Sequence, residues 1–178
     1  IKKCTPNYKI IKKLGQGAFG DTYLVERNGK QYAMKIQKIL DKITLDTIKK
    51  EIKYAKLVGK LGIGPRVYDS YVCDYTKSKK EYVSFIIMEF MNLGTLKDWM
   101  NDNALLPKYR NQIRNKIKKM HKEGIVHNDL HSENILVNQQ GLEQGQPNMS
   151  EQYTPIQLDE YKRISEANII EENFLDTV

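Results

Sequence analysis

The chain has 178 residues, of which 40% are hydrophobic and 29% are charged, a composition typical of a globular protein with one domain or two small lobes. No apolar run reaches the ~18 residues of a membrane span. The N-terminus lacks the apolar core of a signal peptide, and two cysteines are too few for a disulfide framework. We therefore expect a cytoplasmic protein with no membrane partner. The formal net charge of +7 comes from dispersed lysines without an aromatic-rich basic stripe, which argues against a nucleic acid partner.

Three strands and a glycine-rich loop are predicted in the first part of the chain. Residues 8–14, 22–25 and 31–36 have strand-like sequence, and Asn28-Gly29 predicts a tight hairpin turn between the last two of these strands. A strand follows the loop Gly15-Gln16-Gly17-Ala18-Phe19-Gly20, whereas a helix follows the dinucleotide-binding version of this G-x-G-x-x-G pattern. Glycines let backbone N–H groups approach phosphate oxygens without interference from a Cβ atom, so the loop is a candidate phosphate site.

A helix and a second pair of strands are expected next. The helix covers residues 44–61, because apolar side chains recur there at helical spacing. Thr44 or Asp46 is expected to cap its N-terminus. Residues 67–73 and 81–89 are expected to form the two strands, with a polar turn between them.

The pattern breaks at residues 92–95, which predicts a linker between a first lobe, residues 1–91, and a second lobe, residues 92–178. The second lobe is expected to be mostly helical, with a polar loop at residues 127–134 held between two short buried strands. Its expected elements are helices over residues 96–100 and 107–123, strands over residues 124–126 and 135–137, a strand over residues 154–158 and a helix over residues 158–175.

Four polar side chains are candidates for chemistry. Lys35, on the strand next to the glycine-rich loop, offers a positive charge for phosphates. Such a lysine must be held in place, and Glu51 on the predicted helix is its natural partner, although an exposed carboxylate paired with a lysine one turn away is the alternative. Asp129 can orient an attacking hydroxyl or accept its proton. The side-chain oxygen of Asn134 can bind Mg²⁺, which prefers oxygen ligands.

Five motifs, taken together and in this order, resemble those of the eukaryotic-type protein kinase family. They are the loop Leu14-Gly15-Gln16-Gly17-Ala18-Phe19-Gly20, the strand Ala33-Met34-Lys35, the helical Glu51, the hinge at residues 86–96 and the catalytic loop at residues 127–134. The resemblance implies an α+β, two-lobed protein-kinase-like fold. Its first lobe would hold an antiparallel β-sheet plus one helix, and the second would be a mostly helical, partial lobe. The implied activity is transfer of the γ-phosphate of ATP, with Mg²⁺, to a protein hydroxyl, of serine or threonine.

The resemblance also implies roles for single residues. Asp129 would be the catalytic base, Lys35 would contact the phosphates and Asn134 would bind the metal. Met88 would guard the back of the adenine pocket, and Leu136 would lie under the adenine ring. The implied ATP-binding residues are Leu14, Gly15, Gln16, Gly17, Ala18, Phe19, Gly20, Thr22, Ala33, Lys35, Glu51, Met88, Glu89 through its carbonyl, Met91 through its amide, and Leu136.

The chain departs from the family pattern at several positions. Thr22 stands where the family has a valine. Asn128 replaces the arginine that meets a phosphorylated activation loop, so we expect that loop phosphorylation is not the switch. No Asp-Phe-Gly sequence occurs. Asp159, after an apolar stretch, is the first candidate for the second metal ligand, with a helix N-cap as its alternative role.

These departures keep two other functions open. The missing Asp-Phe-Gly motif is compatible with a pseudokinase that binds ATP as a scaffold. His131 replaces the lysine typical of Ser/Thr kinases, and the resulting His-x-Asp-Leu-His loop is similar to that of small-molecule phosphotransferases.

Overall fold

The computed structural model describes residues 7–17, 20–76, 81–101, 106–127 and 129–138, and the backbone of residues 148–149 and 154–155. Its contacts divide the chain into two compact units. The first comprises Ile1–Lys56 and Arg66–Phe90, and the second comprises Leu57–Pro65 and Met91–Val178. The lobe boundary between residues 91 and 92 stays a prediction.

A five-stranded antiparallel sheet forms the first unit, with the strand order β1-β2-β3-β5-β4. The strands are β1 (Lys9–Gly17), β2 (Gly20–Arg27), β3 (Lys30–Ile39), β4 (Val67–Thr76) and β5 (Glu81–Glu89). The predicted strands are confirmed, but most extend further than their apolar patterns indicated. The hairpin turn between β2 and β3 is also confirmed. Asn28 and Gly29 have φ angles of 53° and 73°, the left-handed conformation that an Asn-Gly turn requires.

The two faces of this sheet carry separate apolar clusters, because successive side chains of a strand point to opposite faces. On one face Val25, Met34, Cys73, Val83, Phe85 and Ile87 form a buried cluster. On the other face Ala33, Ile86 and Met88 pack against Ile52 of helix α1 (Lys42–Lys60). The same alternation places Lys35 and Gln37 on the face that carries Ala33. Helix α1 thereby covers the polar as well as the apolar side chains of β3.

The N-terminus of α1 is capped by Asp41, not by Thr44 or Asp46 as predicted. Asp41 Oδ1 accepts a 2.7 Å hydrogen bond from the Thr44 amide, and the Asp41 carbonyl accepts one from the Leu45 amide at 3.1 Å. This hydrogen bond to the Thr44 amide lowers the pKa of Asp41 from its usual 3.8. The helix begins two residues earlier than predicted. Its first amides have no partner within the helix, and the Asp41 side chain accepts a hydrogen bond from one of them.

Ten buried residues in the described part of the second unit form its core. Its elements are the 3-10 helix Leu96–Trp99, helix α2 (Leu106–Lys122), strand β6 (Ile125–Val126), the 3-10 helix Ser132–Asn134, and strands β7 (Ile135–Leu136), β8 (Asn148–Met149) and β9 (Thr154–Pro155). Strand β6 pairs with β9, and β7 pairs with β8. The predicted α+β class is therefore confirmed. The helix predicted over residues 158–175 lies outside the described residues.

Backbone hydrogen bonds join the segment after residue 91 to the end of β7. The Leu93 amide donates to the Val137 carbonyl at 3.1 Å, and the Val137 amide donates to the Gly94 carbonyl at 2.9 Å. Thr95 forms a further bridge with Leu136. Within the second unit, these bonds hold the C-terminal end of β7, which follows the loop at residues 127–134, against the segment at residues 93–95.

The 3-10 helix at Leu96–Trp99 begins with a capping interaction between Thr95 and Asp98. Asp98 Oδ2 accepts hydrogen bonds from the Thr95 amide at 2.8 Å and from the Thr95 hydroxyl at 2.9 Å. These bonds, led by the backbone amide, lower the pKa of Asp98 below its usual 3.8.

We expect Asp98→Asn to reduce the acid sensitivity of the protein. The folded-state pKa of Asp98 lies below the unfolded value of 3.8. Its stabilising effect is therefore complete above that pH and is lost as the pH falls through the lowered folded value. Thermal unfolding from neutral pH down to about pH 2 should show a smaller loss of stability in the variant than in the wild type. Thr95→Val removes one of the two donors and should give an intermediate curve, whereas superimposable curves for all three proteins would contradict the prediction.

Two further observations concern the expectations about membrane spans and disulfide bonds. No helix in the described part of the chain has the length and hydropathy required to cross a membrane. Cys73 is buried in the sheet core and is disulfide-bonded, a bond that the low cysteine count did not predict.

Candidate active site

The glycine-rich segment lies in the hairpin formed by β1 and β2, where Gly17 pairs with Gly20 and Gln16 with Asp21. Ala18 and Phe19 lie outside the described residues, so their expected ATP contacts stay predictions. A Cβ atom on Gly15 would meet nothing within 4 Å, so the neighbouring chain does not require glycine there. Leu14 is exposed at 39%, and Thr22 pairs with Lys35 across β2 and β3.

Gly20 differs from the other glycines of the loop because its backbone and its neighbours both require glycine. Its φ angle is +136°, and a Cβ atom there would lie 2.2 Å from the Ile36 carbonyl oxygen. Residues with a side chain rarely adopt this conformation. The sequence motif attributes Gly20 to phosphate binding, but the structure also assigns it to close packing of β2 on β3.

The Lys35 ammonium forms an ion pair with Glu51 Oε1, which joins β3 to α1. The two side chains are 11% and 21% exposed, so the pair is shielded from most of the solvent that weakens surface salt bridges. The predicted partnership is therefore present, and the alternative of Glu51 as a solvent-exposed helical carboxylate is not. The contribution of this pair to ATP binding stays a prediction.

Two polar residues that sequence analysis missed extend this ion pair into the sheet. Gln37 Nε2 donates a 2.7 Å hydrogen bond to Glu51 Oε2, and Gln37 Oε1 accepts a 3.2 Å hydrogen bond from Ser84 Oγ. Gln37 is 2% exposed and Ser84 is fully buried at 0%. A glutamine two residues after Lys35, on the same face of a strand, was the only sequence signal for this contact.

The ATP-binding residues expected on β3, on β5 and just after β5 occupy buried or backbone-bonded positions. Ala33 and Met88 pair across β3 and β5 and are 7% and 5% exposed. The Glu89 amide donates to the Arg66 carbonyl at 2.9 Å, and Glu89 Oε2 accepts from the Arg66 amide at 3.3 Å. Met91, in the second unit, is buried at 7%.

The loop that contains Asp129 and Asn134 lies between buried strands, as predicted. Ile125, Val126 and Ile135 are at most 3% exposed, and Leu136 is partly buried. Lys97 Nζ and Glu133 Oε1 form an ion pair of 2.5 Å that ties the 3-10 helix of the loop to Leu96–Trp99. Asn128 lies outside the described residues.

Asn134 orients Asp129 directly. The Asn134 Nδ2 atom donates to the Asp129 carbonyl at 2.9 Å and to Asp129 Oδ2 at 3.0 Å. The Asp129 amide in turn donates to Nδ1 of the buried His127 at 3.4 Å. The carboxamide nitrogen of Asn134 is thus directed at Asp129, and its oxygen is of the type that binds a hard cation such as Mg²⁺. The half-exposed Asp129 carboxylate, at 49%, can meet a hydroxyl group.

His131 lies against the same pair. Its Nε2 atom is 2.8 Å from Asn134 Nδ2 and 3.7 Å from Asp129 Oδ2. The side chain is 44% exposed. The residue that replaces the usual lysine is therefore directed at the two expected catalytic residues.

A complete metal site is not formed by the described residues. Within them, no three His, Cys, Asp or Glu side chains converge to hold a metal ion. Asn134 supplies an oxygen of the required type, and Asp129 lies next to it. Asp159, the expected second ligand, falls outside the described residues.

Comparisons with known proteins agree with the motifs. The family model described as the protein kinase domain matches residues 8–144. The chain is 27% identical over 139 residues to the human serine/threonine-protein kinase greatwall. This alignment covers 75% of this chain and 15% of the human protein. The chain is 29% identical over 144 residues to serine/threonine-protein kinase cek1 of Schizosaccharomyces pombe, which covers 76% of this chain and 10% of cek1. Each match thus includes only a small part of the relative's own length.

Proposed function

We propose, because this chain belongs to the protein kinase domain family, that it transfers the γ-phosphate of ATP to a serine or threonine hydroxyl of a protein. The observation that carries the proposal is the hydrogen bond from Asn134 to the Asp129 carboxylate in a loop held by buried strands. Such an arrangement supplies an oriented base beside an oxygen ligand for a metal. The similarity to proteins named serine/threonine kinases supports the choice of hydroxyl.

The first unit would bind the phosphates of ATP. Lys35 would direct its ammonium group at the phosphate oxygens. Glu51 would hold that ammonium group in place through the ion pair that the two residues form. The backbone N–H groups of the loop at residues 15–20 would donate further hydrogen bonds. The open space next to Gly15 leaves room for a phosphate to approach the backbone. Ala33, Met88 and Glu89 would contact the adenine from the same unit.

The second unit would act on the hydroxyl and hold the metal. Asp129 would orient the attacking hydroxyl and accept its proton, and Asn134 would keep the carboxylate in position while its oxygen binds Mg²⁺. Mg²⁺, when bound, supplies positive charge that offsets the charge developing on the transferred phosphoryl group. We include Asp159 as the second metal ligand, and Met91 and Leu136 as contacts to adenine.

The protein substrate and the cytoplasmic location also belong to this proposal. The dispersed positive charge of the chain is compatible with a protein partner. Measuring free thiols in protein isolated from its own cell tests this location, because the cytoplasm keeps most cysteines reduced.

A phosphotransfer assay tests the proposal. The 178-residue chain, incubated with γ-labelled ATP and Mg²⁺, should label a generic basic protein on serine or threonine, and chelation of Mg²⁺ should stop the reaction. Lys35→Met should lower the rate by about 10²- to 10³-fold, because it removes the positive charge that stabilises the phosphates. Lys38→Met removes an exposed lysine from the same strand and should leave the rate unchanged.

Other outcomes would support the alternatives. Labelling of a small hydroxylated compound but no protein would favour a small-molecule phosphotransferase, for which the position of His131 beside Asp129 would be the starting point. Binding of ATP without turnover, indifferent to Mg²⁺, would favour a pseudokinase.

A further inference from the structure

Gln37 and Ser84 connect the Lys35–Glu51 ion pair to the centre of the sheet. We propose that Gln37 is a positioning residue, which holds the Glu51 carboxylate in the orientation that pairs with Lys35, and that Ser84 fixes the Gln37 amide. The proposal rests on the proposed kinase function only for its catalytic consequence. The four side chains, named here the polar relay, are Ser84, Gln37, Glu51 and Lys35.

The register of the sheet places the relay residues side by side. Gln37 pairs with Ser84, and Lys35 pairs with Ile86, in the antiparallel β3–β5 ladder. Residues directly opposite each other on neighbouring strands point to the same face, as do residues two apart on one strand. Ser84, Gln37 and Lys35 therefore share one face of the sheet. Helix α1 covers this face, and its Glu51 side chain is directed at it.

The chemistry of the donors and acceptors sets the direction of the relay. An ionised carboxylate only accepts hydrogen bonds, so Glu51 requires the nitrogen of the Gln37 amide and not its oxygen. The Ser84 hydroxyl donates to Gln37 Oε1 at 3.2 Å, which holds the amide with its nitrogen directed at Glu51 Oε2, 2.7 Å away. The other carboxylate oxygen, Oε1, is then directed at Lys35. Each carboxylate oxygen thus has its own donor, and rotation of the carboxylate would break both contacts.

Because Gln37 and Ser84 are buried, their hydrogen bonds favour one position of Glu51 over others. Gln37 is 2% exposed and Ser84 is 0% exposed, so water does not readily replace a lost partner. If α1 moved so that Glu51 left β3, the Gln37 amide would lose a charged acceptor inside the sheet–helix layer, which is unfavourable for a buried donor. The relay therefore favours the state in which Glu51 is paired with Lys35. An apolar residue at position 37 has no amide to donate to Glu51 and would not favour either position of Glu51.

Chemical labelling of lysines tests the relay without requiring any enzymatic activity. Gln37→Met keeps an unbranched side chain of similar length but removes the amide. We expect Lys35 to react several-fold faster with an amine-specific acylating reagent in this variant, as measured by peptide mass spectrometry. Lys49, whose side chain is 62% exposed, serves as the internal reference. Ile87→Val removes a buried methyl group on the opposite face of β5 and controls for a general loss of stability. Unchanged labelling of Lys35 in Gln37→Met, or equal acceleration in Ile87→Val, would overturn the proposal.

Kinetics then separates positioning from general stabilisation. We expect Gln37→Met to lower kcat by about tenfold with little change in the KM of the protein substrate, and Ser84→Ala to have a smaller effect in the same direction. In a Glu51→Gln background the Gln37→Met change should have almost no further effect, because residues that act through one another are not additive. If the fall in kcat of the double variant equals the product of the falls in the two single variants, Gln37 acts independently of Glu51 and the proposal is contradicted.

The two experiments fail in different ways. If the wild-type chain transfers no phosphate but Gln37→Met accelerates labelling of Lys35, the relay stands and the kinase proposal falls. If the wild type is active and neither labelling nor kcat responds to Gln37→Met, the kinase proposal stands and the relay falls.

Discussion

Asp129→Asn is expected to lower kcat by about 10³-fold while ATP binding persists, because the variant loses the carboxylate that we propose accepts the proton of the attacking hydroxyl. The fold should tolerate this change. A carboxamide oxygen at position 129 can still accept the hydrogen bond that Asn134 Nδ2 now donates at 3.0 Å. The His127 contact involves the backbone amide of residue 129 and does not depend on its side chain. The loss should therefore appear in the chemical step and not in thermal stability.

Steady-state phosphotransfer and ATP titration, carried out on the same preparations, check this expectation. Asp46→Asn is the matched control, since it makes the same chemical change on an exposed position of α1 and should leave kcat unchanged. Activity of Asp129→Asn equal to that of wild type would show that Asp129 is not the base. Loss of ATP binding together with activity would show that the substitution acts on the fold.

Gly20→Ala is expected to destabilise the first unit by about 3 kcal/mol or more, among the larger effects of single substitutions. Two physical causes act together. The φ angle of +136° is one that side-chain-bearing residues rarely adopt, and the new Cβ would lie 2.2 Å from the Ile36 carbonyl oxygen and 2.9 Å from Gln37 Cγ. The first of these neighbours is backbone within β3, so the clash is relieved only if β2 and β3 separate. The expected observation is a large fall in the midpoint of denaturant unfolding.

Gly29→Ala provides the control for backbone strain without a clash. Gly29 has a φ angle of +73°, and a Cβ there would meet nothing within 4 Å, so this variant should cost only about 1 kcal/mol. Equal destabilisation by the two substitutions would mean that backbone conformation alone accounts for Gly20. A stable Gly20→Ala variant would contradict the close packing of β2 on β3.

The sequence alone determined the features that depend on neighbouring residues. The Asn28-Gly29 turn, the strands of the sheet and the helical stripe of α1 follow from side-chain periodicity and turn chemistry, which act over a few residues. The partnership of Lys35 with Glu51 was also predicted, because a lysine that contacts phosphates must be held in place and Glu51 supplies a carboxylate on the predicted helix. Asp129 and Asn134 were identified together because they lie five positions apart on one polar loop.

Only the tertiary structure decided which groups meet across larger separations. Asp41 was missed as the cap of α1 because Asp41, Thr44 and Asp46 all have side chains that can cap a helix, and only the backbone geometry selects Asp41. Ser84 and Gln37 are 47 residues apart, and their contact depends on the β3–β5 register, which is specified by the packing of two whole strands. Gly20 shows the same distinction. Its place in the motif was evident from the sequence, but its close approach to the Ile36 carbonyl exists only once β2 and β3 are paired, since steric contact is a property of the folded chain.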